Sequence, residues 1–456
     1  MIPRPCALFA FHRPAIHKRR SPGSDSLFMH SVLGLDFGTT NTVMALPDGP
    51  RARAVSLIAG GEAISALRSA LCFWRDGRSV GVEAGPFAIE KFIDDPEEAR
   101  FIQSFKTFAA SPHFTGTYIF GKRLTFEALL QTFLARTFEY AKAELPDLPR
   151  RVVVGRPVAF AGADPDPALA ARRYESALRA LGFEEIGFVY EPVAAAFFFA
   201  RALTKPATVL VADFGGGTTD FSIMHFDFVD GMPKARALGH GGIGIAGDQF
   251  DYRIVHHAVL PRLGKGTKFR GLFKDEDFPD SWFAAFSRWN SLSILKASKE
   301  FREMKTLLSR ARAPEAIGRF IHLVEEDQGY PLYRAISDVK TRLSQVDSAT
   351  LRFAPLGAEF EMQITRADFE SWIADDLERI ETVLQDTLAA ARLSARDIDR
   401  IFLTGGTSFV PAVRAIFERR FGSGKIESGG ELISIANGLA LIGARDDCEA
   451  WHCGGA

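Results

Sequence analysis

The chain has 456 residues, 47% hydrophobic and 24% charged, enough to bury a large core and to form at least two lobes. Its formal net charge of −1 gives no overall field for nucleic acid or an acidic membrane, and apolar runs such as 192–200 are far too short to span a bilayer. Cys6, Cys72, Cys448 and Cys453 form no Cys-x-x-Cys pair, which argues against a disulfide framework or a zinc ribbon. A soluble globular protein is expected, with neither nucleic acid nor membrane as partner.

Residues 1–31 carry Arg4, Arg13, Lys18, Arg19 and Arg20 against a single acid, Asp25. Basic and acid-poor like a targeting peptide, but with no apolar core ahead of a cleavage site, they read as an over-extended start or a disordered tail before Met29. Residues 32–44 then give an apolar run, Asp36, a turn Gly38-Thr39-Thr40, and a second apolar, β-branched run. The same pattern returns at 209–224, around Asp213 and Gly215-Gly216-Gly217-Thr218. Each copy predicts a β-hairpin with a specialised turn. Glycines let backbone N–H groups close on an anion, threonine hydroxyls add donors, and an aspartate ending a strand suits a hard cation such as Mg2+. Either copy alone fits an ordinary tight hairpin. Two in one chain suggest a clamp on a polyphosphate and its metal, although neither is a Walker loop or a dinucleotide fingerprint.

Between the copies, short strands are expected at 63–73 and 79–84, with Arg75-Asp76-Gly77-Arg78 as a hairpin tip. Residues 125–143 have apolar side chains at helical spacing (Phe126, Leu129, Leu130, Phe133, Leu134, Phe138) and 168–181 form a second helix stopped by Gly182. Residues 151–155 make a buried strand closed by Arg156-Pro157. Beyond the second hairpin, a glycine-rich stretch at 239–247 leads into a helix carrying His256 and His257, which read as surface or satisfied core residues. Residues 397–421 read strand, Gly-Gly turn, and a helix opened by Pro411. A helix over 436–445 closes the chain. Cys448, His452 and Cys453 fit a frayed tail better than a metal site lacking a fourth ligand.

The doubled hairpin, Leu35-Asp36-Phe37-Gly38-Thr39-Thr40-Asn41 and Asp213-Phe214-Gly215-Gly216-Gly217-Thr218-Thr219-Asp220, resembles the nucleotide-binding lobes of actin-like ATPases, the DnaK-type heat shock protein 70 chaperones in particular. The resemblance spans about 32–445. It implies an α/β fold of two lobes, each a mixed sheet flanked by helices, with ATP or ADP and Mg2+ in the cleft between them. Asp36 and Asp213 would hold the metal. Gly38, Thr39, Thr40, Gly215, Gly216, Gly217 and Thr218 would cradle phosphates. Lys106, after Phe105, matches the family's catalytic lysine; Glu191-Pro192 matches its inter-lobe motif, putting Glu191 near the γ-phosphate, with Asp213 completing the catalytic set. Pro157 falls where the family has a switch between the lobes. Gly247, Lys340, Ser344, Gly405, Gly406 and Phe409 would surround the nucleoside, with Ser337 in the register of an acid that usually contacts ribose. Phe409 stands where an Arg is usual, and Leu432 where an Asp is usual.

The expected division is a tail at 1–31, lobe I at 32–205, lobe II at 206–431 with an enlarged helical outer part at 264–347, and a closing helix with tail at 432–456. Residues 265–332, with Trp282, Trp289 and Asn290, depart from the family pattern. With no β-sandwich or lid after 445, the chain resembles the short YegD-type members. The resemblance thus implies a cytoplasmic, monomeric, slowly ATP-hydrolysing chaperone-like protein whose lobes close on nucleotide, meeting unfolded or specific clients by its lobe surface. An actin-fold small-molecule kinase and an ATP-binding scaffold or filament protein are the alternatives.

Overall fold

A computed structural model describes residues 32–453 apart from 60–61, 78, 96–97, 163, 202, 230–231, 285–294, 297 and 428–432. The basic tail with Met29, Arg78 of the expected hairpin tip, Trp289, Asn290 and Leu432 lie outside the described residues.

Two sheets repeat one topology. In the first, the antiparallel strands Arg51–Ala54, Asn41–Asp48 and Val32–Phe37 are followed by the parallel strands Arg151–Arg156 and Glu185–Tyr190. In the second, Met232–Ile243, Thr219–Val229 and Ala207–Phe214 are antiparallel, and Arg400–Thr404 and Ile426–Glu427 continue in parallel. The specialised hairpin therefore occupies the same place in both sheets.

Both strands that lead into these hairpins are apolar on alternate faces because side chains alternate across a sheet. Leu33 and Leu35 face a core with helices Phe126–Ala141 and Pro167–Leu181, while Val32 faces a different one. In the second sheet Leu210, Ala212 and Phe214 face the core of their own lobe, and Val209 and Val211 face the cluster that holds Val32. That shared cluster is filled by helices Glu191–Ala200 and Ser434–Gly443. The two helices cross where a Cβ on Gly438 would lie 1.7 Å from the carbonyl oxygen of Ala194, so only glycine fits. Phe199 stacks on Phe402 with ring centroids 4.1 Å apart, which makes the aromatic triplet at 197–199 part of the junction between lobes.

Helix Pro167–Leu181 starts and stops where capping chemistry predicts. Asp166 accepts from the Leu169 N–H at 2.9 Å, Pro167 opens the first turn, and Gly182 ends the helix at φ 106°. The glycine-rich stretch leads into a helix as expected, and its first part is strand. Gly239–Ile243 is the end of the long strand Met232–Ile243, paired with Thr219–Ile223, and helix Ala374–Ala390 crosses it so closely that a Cβ on Gly241 would lie 2.1 Å from Thr387 Oγ1. The helix begins at Gly247 and continues through a π-helical turn, Val255–Val259. The region after 265 also opens on a small hairpin, Lys268–Arg270 with Asp275–Asp277, before its helices. The C-terminal stretch is docked through residue 453. Cys453 donates its N–H to the Phe188 carbonyl at 2.8 Å, and a Cβ on Gly187 would collide with the His452 ring. Among the described residues no helix is long and apolar enough to cross a membrane.

The outer parts of the lobes also meet. Tyr330, near the start of helix Gly329–Leu343, packs into an apolar cluster of Ala70, Cys72, Ala88, Phe92 and Phe101 from the first lobe. Its ring centroid is 4.7 Å from that of Phe101 and 6.3 Å from that of Phe92.

Candidate functional site

The two turns have the same hydrogen bond. Gly38 N–H donates to the Asn41 carbonyl at 2.9 Å, and Gly215 N–H donates to the Thr218 carbonyl at 3.0 Å. A Cβ on Gly38 would lie 2.3 Å from the Asn41 oxygen, so the first turn cannot carry a side chain there. The tips face each other: a Cβ on Gly216 would fall 2.4 Å from Thr40 Oγ1, and one on Gly217 3.3 Å from Thr39 Oγ1. Between them runs a cleft of about 260 Å³.

Lys106 reaches this cleft from a single turn, Phe105–Phe108, which follows Ser104 in the left-handed region at φ 54°. Its ammonium donates to Glu191 Oε1 at 2.6 Å, and both side chains are buried. Glu191 opens its helix with Pro192 behind it, where the helix N-terminus favours a carboxylate. Burial, then Glu191, pushes the Asp36 carboxyl up to about 7, with Lys106 acting the other way. Asp213 is raised by burial and then by Glu191, Asp220 and Asp36. Asp36, Glu191, Asp213 and Asp220 thus crowd negative charge around one lysine, an arrangement that a bound cation relieves. No group of three or more His, Cys, Asp or Glu among the described residues could hold a metal by itself. The donor set fits Mg2+, which takes one or two carboxylates and completes its shell with water and phosphate oxygens.

Of the residues expected at the site, Asp36, Gly38, Thr39, Thr40, Lys106, Glu191, Asp213, Gly215, Gly216, Gly217, Thr218, Gly247, Lys340, Gly405 and Gly406 all line this cleft. Ser344 and Phe409 do not line it. Ser344 lies one helical turn beyond Lys340 and returns its hydroxyl to the Lys340 carbonyl at 3.4 Å. Phe409 ends the short turn Gly406–Phe409 and is 57% exposed. Gly405 has φ 81°, and a Cβ there would lie 2.1 Å from the Phe214 carbonyl oxygen, which explains the first glycine of that pair by backbone contact.

A family model described as Hsp70 protein matches residues 113–266 and 325–444, more than half of the chain. The chain belongs to the Hsp70 family. The unmatched stretch between the two segments includes most of the region that departs from the family pattern in sequence. Among curated relatives, the chaperone protein DnaK of Deinococcus deserti is 24% identical over 428 residues, covering 91% of this chain and 59% of that protein. The chloroplastic stromal 70 kDa heat shock-related protein of Pisum sativum is 24% identical over 414 residues, covering 86% and 50%. The chain thus spans roughly half to three-fifths of the length of these relatives. Membership carries the two-lobed actin-like fold, with which the repeated sheets agree.

This Hsp70-family cleft also has residues that sequence reasoning missed. Asp251 accepts from Lys340 Nζ at 2.8 Å and from the Tyr333 hydroxyl at 3.1 Å, and Lys340 also donates to the Gly247 carbonyl at 3.0 Å. The Tyr333 hydroxyl also lies 3.3 Å from Asp248, whose backbone N–H donates to the Gly216 carbonyl at 2.8 Å. The signal was present: Tyr333, Ser337, Lys340 and Thr341 share one face of their helix by spacing, and Asp248 and Asp251 stand three apart in the opening turn of another. Arg68, Gln103 and Thr407 line the cleft from short elements with no pattern to read. Asp220 ties the second hairpin to the first lobe. Its Oδ1 accepts from the backbone N–H groups of Val158 and Ala159 at 2.7 and 3.2 Å, joining the second lobe to the segment after Pro157.

Proposed function

We propose that the cleft binds ATP and ADP with Mg2+ and slowly hydrolyses ATP, and that closure of the lobes makes nucleotide state a conformational signal in a chaperone-like protein. The observation that carries this is the pair of hairpin turns facing each other across one cleft with the buried Lys106–Glu191 pair between them. Backbone N–H groups and threonine hydroxyls of the two turns bind phosphate oxygens, and Lys340, held by Asp251, supplies a cation toward the nucleoside side. Asp36 and Asp213 hold the metal, directly or through water. When bound, Mg2+ neutralises phosphate charge and draws phosphate oxygens into position. Lys106 stabilises charge developing on the transferred phosphoryl group and orients the attacking water, while Glu191 fixes the lysine.

In this proposal the lobes are residues 32–205 and 206–431, with the closing helix returning to the first, and the protein is a cytoplasmic monomer. Clients meet the lobe surface, the region after 265 first, where Leu272 and Phe273 are 87% and 99% exposed. The test is calorimetric ATP binding and single-turnover hydrolysis, with and without Mg2+, on the wild type and Asp213→Asn. Mg2+-dependent turnover that the variant loses while remaining folded supports the proposal. A folded wild type that binds no ATP overturns it.

A further inference from the structure

The loop that presents Lys106 converges on one buried cation that the proposed mechanism leaves unused. Arg173, on helix Pro167–Leu181, is 8% exposed. Its Nη1 donates to the carbonyls of Phe108, Ala109 and Ser111 at 2.8, 3.0 and 3.1 Å, and its Nη2 to that of Phe114 at 2.7 Å. Phe108 is the last residue of the turn Phe105–Phe108 that carries the lysine, and the other three follow it directly. Glu127, on the neighbouring helix, approaches Nε at 3.6 Å.

A single helical turn leaves its last carbonyls without partners along the chain, and buried carbonyls need donors from elsewhere. Ala109 and Ala110 are fully buried, and a planar guanidinium with five N–H donors answers several such carbonyls at once. Ala109 links the arginine to the lysine. Its carbonyl takes Arg173 Nη1, and its N–H donates to the Lys106 carbonyl at 2.9 Å. The lysine side chain then reaches Glu191 at 2.6 Å. The other end of the turn starts from Ser104 at φ 54°, a conformation a non-glycine residue keeps only where its surroundings hold it. Thr107 helps by donating its hydroxyl to the Ser104 carbonyl at 2.9 Å. Asp166, just ahead of the helix that carries Arg173, adds a bond from its N–H to the Ala110 carbonyl at 2.8 Å.

We propose that Arg173 is a positioning residue for Lys106: it clamps the backbone of the lysine's loop and so fixes how far the ammonium reaches toward Glu191 and the cleft. The proposal rests on the assignment of Lys106 to phosphate chemistry. Arg173 acts through the peptide of Ala109 and touches neither nucleotide nor metal. Without the guanidinium, four carbonyls lose their donor and the loop must shift to find others, carrying Lys106 with it. A small shift of that kind misplaces a charge whose value depends on its position in the transition state.

The test is Arg173→Met, which keeps the length of the side chain and removes its donors. Its kcat for ATP hydrolysis is expected to fall about tenfold or more at a KM within about twofold of wild type. Arg173→Lys, which keeps the charge but not the planar fork, should fall between the two, and it carries the test if the methionine variant does not fold. A kcat within about twofold of wild type, with only the melting temperature lowered, overturns the proposal by making the arginine a structural clamp alone. A second arm needs no nucleotide. Lysine acetylation by acetic anhydride, located by mass spectrometry, compares Lys106 with Lys340, which is held by Asp251 in the second lobe at 2.8 Å. Lys106 should label about tenfold faster in the variants, with Lys340 unchanged within about twofold. No acceleration at Lys106, or an equal rise at both lysines, overturns the proposal. A folded wild type that binds no ATP would sink the proposed function, while the labelling would still decide whether Arg173 holds the lysine.

Discussion

Replacing Tyr330 by alanine should loosen the lobes at their outer edge. A buried tyrosine removes roughly 150–250 Å² from water, worth about 4–6 kcal/mol at ~25 cal/mol per Å². If about half of that burial is against the first lobe, the contact holds the outer parts together by about 2–3 kcal/mol. Losing it should raise the population of separated outer lobes by roughly 30- to 150-fold. The chain has its own reporter. Cys72 lies in the cluster that receives the ring, fully buried, with its thiol pushed up to about 12, chiefly by burial. Labelling with a thiol reagent, located on the Cys72 peptide by mass spectrometry, should therefore accelerate by about that factor in Tyr330→Ala. A rate within twofold of wild type, alongside a clear fall in melting temperature, would refute the reasoning by showing that the ring stabilises only its own lobe.

Lys106→Ala should cut single-turnover hydrolysis by about 100-fold or more while changing ATP affinity much less; a large loss of affinity with intact turnover at saturation would make the lysine a ground-state contact. Gly438→Ala should cost about 3 kcal/mol or more, because the added methyl meets the Ala194 carbonyl, and should lower the melting temperature by roughly 6 °C or more. Asp36 and Asp220 are each pushed up to about 7, first by burial and then by Glu191, against an unfolded value near 4. Between those values the folded chain holds more protons than the unfolded one, so without metal its stability should fall as pH rises from about 4 to about 7. Denaturant titrations at pH 5 and pH 8 check the sign, and added Mg2+ should recover much of the loss at pH 8.

The parts of the site legible in sequence are those where chemistry fixes both residue type and position. A turn that must bring backbone within bonding distance of an anion needs glycine, and Gly38 could be named from its neighbours because nothing else fits beside the Asn41 carbonyl. The apolar run at Val209, Leu210 and Val211 reads as a strand of the second hairpin, and the strand Ala207–Phe214 is buried throughout. Tyr333, Asp251 and Arg68 escaped notice because their roles come from long-range contacts: Tyr333 and Asp251 are 82 positions apart and meet only after the second lobe has folded. Phe409 was placed by register alone, and register cannot say whether a side chain at the end of a turn lines a cleft or faces water. The docked end at 448–453 was illegible for a similar reason, since Phe188, which receives Cys453, is 265 positions away.

The cluster between the sheets sets the order in which the chain can finish folding. Val32, Val153 and Val189 emerge early in synthesis, yet the helix that covers them, Ser434–Gly443, comes more than 200 residues later. Until then the first sheet has one apolar face covered only by Glu191–Ala200, however well its other face is packed by Phe126–Ala141 and Pro167–Leu181. Neither lobe is an independent product of translation. A ribosome stalled anywhere between the lobes holds a half-clad sheet, the kind of surface that holdases bind, and a gene split at that point should yield two insoluble pieces that regain structure only when made together.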